Sequence, residues 1–359
     1  LKQNKFHKEF QLNNTSFSTV DELLSFTKNK YDDVYQFLKE WFSIENEIVV
    51  QTSGSTGIPK SILLQKSKML QSALATGLFF HLKPNTTALL CLPIKYIAGK
   101  MMLVRALSLG WHLDVVAPNS NPLLNIQKTY DFSAMIPLQV QNSIDKLHNI
   151  KKLIVGGGVV SNQLQEKLQS VSTEVFATYG MTETITHIAV KKINQFSGLS
   201  ENEKQSFYKV LPNITIYKDE RNCLVIKAPK ITDDVIFTND VVNLISDIQF
   251  EWLGRFDNVI NSGGVKLHPE KIEEKLAKII SKRFFVAGVS DQKLGKKLIL
   301  VIEGNEIFNY KKENLIPILK NTKTLHKFEI PKEVYFVNTF IETATGKIQR
   351  EKTLKLAIN

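Results

Sequence analysis

Two cysteines in 359 residues are too few for a disulfide framework or a zinc centre. Cys91 and Cys223 both sit inside apolar, strand-like runs and read as reduced core thiols. No run of 18 apolar residues is present, and the start Leu1-Lys2-Gln3-Asn4-Lys5 is polar, without the apolar stretch of a signal peptide. The expectation is a cytoplasmic protein with no membrane span. Zinc-finger spacing and RNA-binding aromatic signatures are missing as well, which matters because the chain is basic. Its 46 Lys+Arg against 35 Asp+Glu give a formal charge of +11, and residues 257–359 alone carry 19 basic against 12 acidic residues. These cations are dispersed over helices and strands. They suit a general field for small anionic ligands better than a track for nucleic acid. Hydrophobic residues at 43% and charged residues at 23% are ordinary for a globular chain long enough for two or three domains.

What is present begins with Gln51-Thr52-Ser53-Gly54-Ser55-Thr56-Gly57-Ile58-Pro59-Lys60, directly after the apolar run Ile48-Val49-Val50. Glycines let backbone N–H groups turn toward an anion, hydroxyls add short donors, and a lysine adds a point charge. A Walker loop would need Gly-Lys-Ser/Thr opening a helix, whereas Pro59 stands before Lys60 and removes an N–H. Read alone, the stretch also fits a flexible Ser/Gly linker. It resembles the phosphate-binding signature of the adenylate-forming enzymes, the superfamily of acyl-CoA synthetases, peptide-synthetase adenylation domains and luciferases.

From 48 to 180, strand-like and helix-like patterns alternate, which argues a doubly wound α/β sheet with ligand loops at the carboxyl ends of its strands. The loops so marked follow Val50, Pro93, Val155 and Thr178. Gly156-Gly157-Gly158 follows one of them, and Tyr179-Gly180-Met181-Thr182-Glu183 follows another. A glycine triplet lets a flat base or an acyl chain lie on backbone, and a carboxylate among phosphates suits magnesium. Both stretches look like motifs of the same superfamily, in its order. The resemblance gives Thr182 to the α-phosphate, Glu183 to Mg2+, and Gly156–Gly158 with Tyr179-Gly180 to adenine. Residues 208–253 turn β-rich, like that family's small β subdomain. There Thr238-Asn239-Asp240 stands where the family has Thr-Gly-Asp, Asn replacing Gly as the other residue that tolerates positive φ, and Asp240 would hold the ribose hydroxyls.

Gly254-Arg255-Phe256-Asp257 and Ser262-Gly263-Gly264 resemble the family's hinge stretch, with Arg255 on ribose, Asp257 as pivot and Ser262-Gly263-Gly264 beside the coenzyme A channel. Thr343-Ala344-Thr345-Gly346-Lys347 resembles its terminal catalytic-lysine motif, although Ile341 replaces the usual proline. The implied architecture is an adenylate-forming fold: a large N-terminal domain over 1–253, shortened at its start relative to the superfamily, a hinge at 254–257, and a small mobile α+β domain over 258–359. The implied activity uses ATP, Mg2+ and coenzyme A to convert a carboxylic acid to its thioester through an acyl-adenylate. Cys91-Leu92-Pro93-Ile94-Lys95-Tyr96 and Thr182–His187 are similar to the short o-succinylbenzoate–CoA ligases of menaquinone synthesis, with Lys95-Tyr96 where the wider superfamily has an aromatic-His pair. That acid has two carboxylates, so a second anchor is needed, and Lys100 and His187 are its candidates. Two alternatives stay open: a ligase for another aryl or short acyl acid, or one loading a carrier protein; and a non-enzymatic nucleotide- or nucleic-acid-binding protein.

Overall fold

The computed structural model describes residues 5–51, 61–195, 207–305, 310, 312–342 and 348–358. The early chain forms β1 (Gln11–Leu12), β2 (Thr15–Ser16), α1 (Val20–Thr27) and α2 (Asp32–Trp41). In α2 the buried residues Val34, Phe37, Leu38 and Trp41 repeat at helical spacing and turn one stripe onto the core. After β3 (Glu47–Gln51) and β4 (Ser61–Gln65) come α3 (Lys66–Phe80), β5 (Thr87–Leu90), α4 (Ile97–Leu109), β6 (His112–Val115), β7 (Tyr130–Met135), α5 (Pro137–Asn142), β8 (Ile150–Val155), α6 (Asn162–Leu168) and β9 (Glu174–Gly180). Strands β1, β6, β5, β7, β8 and β9 lie side by side and parallel, with apolar residues on both faces, as a sheet covered by helices requires. This is the doubly wound core that the alternation of patterns leads one to expect.

Three features go beyond what the sequence pattern shows. The strand before the phosphate loop is not part of that sheet. Among the described residues β3 pairs with β4 alone, antiparallel, with Gln51 opposite Ser61, so Val50 does not end a strand of the large sheet. Ile48 and Val50 are buried while Val49 is half exposed, the alternation of a one-sided ribbon. The helix-like pattern over 138–147 is divided in the structure, because α5 ends at Asn142 with Ser143 as its cap and a 3-10 turn continues over Ile144–Asn149. The β-rich stretch does not form a sheet of its own. β10 (His187–Lys192), β11 (Tyr208–Val210), β12 (Thr215–Lys218), β13 (Cys223–Lys227), β14 (Val235–Ser246) and β15 (Gln249–Arg255) extend the same sheet, antiparallel, in the order β12-β13-β14-β15-β11-β10-β9, to thirteen strands among the described residues.

A second sheet follows, made of β16 (Ile260–Ser262), β17 (Val265–Leu267), β18 (Phe284–Asp291), β19 (Gly295–Glu303) and β20 (Glu333–Val337), with helices α7 (Pro269–Leu276), α8 (Lys312–Asn321) and α9 (Arg350–Ile358). It has its own core, with Leu298, Leu300 and Ile302 on one face meeting Ile272, Leu276 and Leu319 from the helices. Pro269 opens α7 at the first helical position, where its missing N–H costs nothing. Both cysteines are buried free thiols. No helix among the described residues is long and apolar enough to cross a membrane.

Candidate active site

Because β7, β8 and β9 run parallel with Val155 opposite Met135 and Ala177, their carboxyl ends open on one side of the sheet. The Gly156 N–H donates to Met135 O at 3.1 Å, and a Cβ on Gly156 would lie 2.6 Å from Thr178 Oγ1, so a side chain there would push the two loops apart. Tyr179 and Gly180 are not loop residues, as the sequence suggests, but the last two of β9, with Gly180 opposite His187 of β10. A Cβ on Gly180 would sit 2.3 Å from Thr186 O, so only glycine permits this crossing.

Between these strands the chain makes one 3-10 turn over Thr182–Thr184. The Thr184 hydroxyl accepts from Met181 N at 2.9 Å and reaches Thr186 O at 2.8 Å, locking both ends of the turn. Ile185 then takes φ 65 and ψ −58, closed by Thr186 N donating to Thr184 O at 2.7 Å. This is a classic-handed γ-turn centred on a β-branched residue, a rare and strained geometry costing on the order of 1–3 kcal/mol. The buried Ile185 side chain holds it in place, and the turn leaves Glu183 exposed at the open end of the sheet. Among the described residues no group of three or more His, Cys, Asp or Glu is gathered around a metal position. The exposed Glu183 carboxylate is the group here that could hold a magnesium ion, with phosphate oxygens as the other ligands.

Asp240 is buried, and both its oxygens are engaged: Tyr179 Oη donates to Oδ2 at 2.7 Å, and Trp252 Nε1 to Oδ1 at 3.1 Å. Burial and the Asp240 charge hold the Tyr179 phenol well above its usual range, so it remains a proton donor. The Tyr179 ring stands edge-on to Phe250 (5.1 Å) and Tyr208 (5.8 Å). Arg255 lies 3.7 Å from Asp240 and 3.5 Å from Asp257, and Asn239 Nδ2 donates to Asp257 at 3.3 Å. Asn239 does not use the positive φ that its replacement of glycine suggests; it stays extended within β14. Arg221, which no motif marks, holds this turn from behind by donating to Asn239 Oδ1 (2.9 Å) and Thr238 O (3.0 Å). Ser262 is buried at the end of β16, and Gly263 and Gly264 form the exposed turn into β17, Gly263 N donating to Leu294 O at 2.9 Å.

The two residues expected to anchor a second carboxylate are placed otherwise. Lys100 is buried on α4, but its ammonium is 3.6 Å from Glu40 and lies over the Phe37 ring at 4.5 Å. His187 is buried, and desolvation together with the Arg105 charge holds its imidazole well below the usual range, so it is neutral near pH 7. The group that stands out is Arg105, one turn beyond Lys100 on α4 and 1% exposed. Its Nε donates to Thr76 Oγ1 and its Nη2 to Thr186 Oγ1, each at 3.2 Å, and both hydroxyls lie 3.4 Å from the His187 ring. Among the described residues no carboxylate pairs with it, and burial alone pushes its pKa down to about 9. Sequence reasoning passed over it because an arginine in a helix is ordinary. The available signal was its place in an otherwise apolar run, Met101–Leu107.

The phosphate-loop residues Thr52, Ser53, Gly54, Ser55, Thr56, Gly57 and Lys60 lie outside the described residues, as does Lys347. Their flanks are defined. Gln51 and Ser61 are paired across the hairpin, and Glu342 bridges Ile348 while Gln349 N donates to Ile341 O at 2.8 Å.

Comparison with known proteins agrees with this geometry. The AMP-binding enzyme family profile matches residues 48–223. An acyl-CoA synthetase (AMP-forming)/AMP-acid ligase II-like protein from Dyadobacter fermentans is 37% identical, with 91% of this chain and 95% of that one covered and a TM-score of 0.60. The chain belongs to the AMP-forming acyl-CoA synthetases. Within this family it is also similar to a 2-succinylbenzoate–CoA ligase of Lactococcus lactis, 24% identical over 85% of this chain and 70% of that protein. A Bacillus subtilis o-succinylbenzoate CoA synthetase, solved with its acyl-adenylate intermediate, superposes with a TM-score of 0.73 at 20% identity over 85% of this chain and 68% of that one. The same enzyme with ATP and magnesium gives 0.73 at 18% identity. These last likenesses fix the adenylate-forming fold. As a member of the AMP-forming acyl-CoA synthetases, the chain is an ATP-dependent, AMP-forming acid–thiol ligase.

Proposed function

We propose that this synthetase joins o-succinylbenzoate to coenzyme A, releasing AMP and pyrophosphate, as a step of menaquinone formation in the cytoplasm. The observation that carries the substrate is Arg105, a buried guanidinium with hydroxyl neighbours and no carboxylate partner among the described residues. Burying an unpaired charge costs several kcal/mol. A diacid repays that cost by giving one carboxylate to the cation and the other to the reaction. Lys100, neutralised by Glu40, and His187, uncharged, are less suited to the role; His187 and the two threonines orient Arg105. The names of the curated relatives support the same acid.

In the first half-reaction the free carboxylate attacks the α-phosphorus and pyrophosphate leaves. Two anions must meet, so positive charge and fixed donors have to neutralise them in line. Thr52–Lys60 would cradle the phosphates, Thr182 would meet the α-phosphate, Glu183 would share Mg2+ with the phosphate oxygens, and Lys347 would bind the developing charge. Gly156–Gly158 and Tyr179-Gly180 would bound adenine, and Asp240 with Arg255 would hold ribose. In the second, the part from 258 to 359 would turn about Asp257 in the hinge 254–257 and bring Ser262-Gly263-Gly264 against the pantetheine arm, so that the thiol attacks the acyl carbonyl and AMP leaves. The large part, 1–253, keeps the nucleotide throughout.

The test is pyrophosphate release with ATP and magnesium over o-succinylbenzoate, benzoate and a medium-chain fatty acid, with and without coenzyme A. Turnover confined to o-succinylbenzoate and completed by coenzyme A is expected. Turnover only with another acid would overturn the substrate and keep the reaction. Lys347→Ala is expected to abolish adenylate formation while thioester formation from supplied acyl-adenylate survives; equal loss of both would remove that lysine from the chemistry.

A further inference from the structure

We propose that Trp252 is a positioning residue for nucleotide binding: its indole N–H fixes the Asp240 carboxylate so that its remaining lone pairs meet the two ribose hydroxyls. The proposal rests on the reading of Asp240 as the ribose-binding carboxylate. An ionised carboxylate has about four acceptor positions. Tyr179 Oη fills one on Oδ2 and Trp252 Nε1 one on Oδ1, at 2.7 and 3.1 Å, which leaves one on each oxygen, the number that two vicinal hydroxyls require. With both oxygens tethered, the plane of the carboxylate is set before the nucleotide arrives, so no rotamer freedom is lost on binding.

The sheet is built to deliver the indole. In the β14–β15 pair, Asp240 faces Arg255 and Val241 faces Gly254, but Val242 faces Trp252, so Leu253 is an extra residue in β15. Without this bulge Leu253 would stand opposite Val242 and Trp252 would point to the other face, because a shift of one residue exchanges the faces of a strand. The bulge instead turns Trp252 onto the face that carries Asp240, the re-aiming of a side chain that bulges beside active sites provide. The ring is half buried against the main core. Thr238 Oγ1 fixes the backbone of the same carboxylate by accepting from Asp240 N at 3.1 Å.

Trp252→Phe keeps the ring and removes the donor. With ATP, the KM in the pyrophosphate-release assay is expected to rise about tenfold, the worth of one hydrogen bond to a charged group, while kcat changes less than about twofold. Wild-type enzyme is expected to prefer ATP over 2′-deoxy-ATP and 3′-deoxy-ATP by about tenfold each, and the variant to narrow both preferences to about threefold. Thermal unfolding is measured alongside. If the variant keeps the KM for ATP and both preferences, whether or not its melting temperature falls, Trp252 only packs and the proposal is overturned. If wild-type enzyme itself does not discriminate against the deoxynucleotides, the ribose role of Asp240 fails and takes the proposal with it.

Discussion

Arg350, whose side chain is 26% exposed, and Arg105, which is almost wholly buried, are treated by the fold in opposite ways. Arg350, at the start of α9, is gripped by Glu273 of α7 through two parallel bonds of 2.6 and 2.7 Å, and Val286 N donates to the same carboxylate at 2.8 Å. Desolvation raises the Glu273 carboxyl, with the Arg350 charge opposing it, and Arg350 is held above its usual range by its partner. Arg105, more deeply buried, has two threonine hydroxyls and a neutral imidazole. The first cation is completed by its own chain and joins two elements. The second has no carboxylate partner among the described residues, which a fold of marginal stability would tolerate at a site that a ligand completes.

The contrast can be broken or sharpened in four ways. Glu273→Ala leaves the part-buried Arg350 without its partner, and losing hydrogen bonds to a charged group in this manner costs about 1.5–3 kcal/mol. Urea unfolding followed by far-UV signal is expected to show that loss for the C-terminal sheet; an unchanged midpoint would make the pair dispensable. Arg105→Leu removes a charge that has no carboxylate partner among the described residues, so stability is expected to hold or rise, while kcat/KM for o-succinylbenzoate falls about a hundredfold or more and benzoate is unaffected. A large drop in stability would mark Arg105 as structural, like Arg350. His187 is the next smaller effect. Its folded pKa lies well below the ordinary 6.5 because of burial and Arg105, so above pH 6.5 both folded and unfolded rings are neutral. Below that value the unfolded chain takes up a proton that the buried ring refuses, and stability falls by about 1.4 kcal/mol per pH unit while the ring stays neutral. Melting curves of His187→Gln between pH 7 and 5 are expected to be flatter than wild type; parallel curves would mean that the ring protonates freely. Smallest is Lys271, which bridges Glu251 of β15 at 2.8 Å and Glu274 at 3.1 Å across the two sheets' elements. These are part-exposed contacts, so Lys271→Ala should cost under about 1 kcal/mol, and less in high salt.

The alternation of strands and helices over 48–180 was legible because parallel strands buried on both faces and helices between them leave different periods in the sequence. Pro269 announced the start of α7. The place of β3 was not legible: an apolar run of three residues is the same in a central strand and in a hairpin, and only pairing with β4 separates them. Asn239 misled in another way, since its tolerance of positive φ is a permission and the extended partners in β14 and β15 did not require it. At the site, contiguous motifs were readable, whereas Arg221, Trp252 and Arg105 act on residues far away in the chain.

The sequence by itself determined the family, the order of its motifs and the class of reaction, because the stretches that resemble the family's phosphate-binding, metal-binding and hinge motifs are each written within a few consecutive residues. Tertiary structure alone decided which cation lacks a carboxylate partner among the described residues. Lys100 and Arg105 are five positions apart on one helix, and nothing in their own stretch distinguishes them. Glu40 reaches one, and Thr76 and Thr186 reach the other, from segments remote in the chain. Compensation of charge is a property of distance through space, and the fold is what sets that distance.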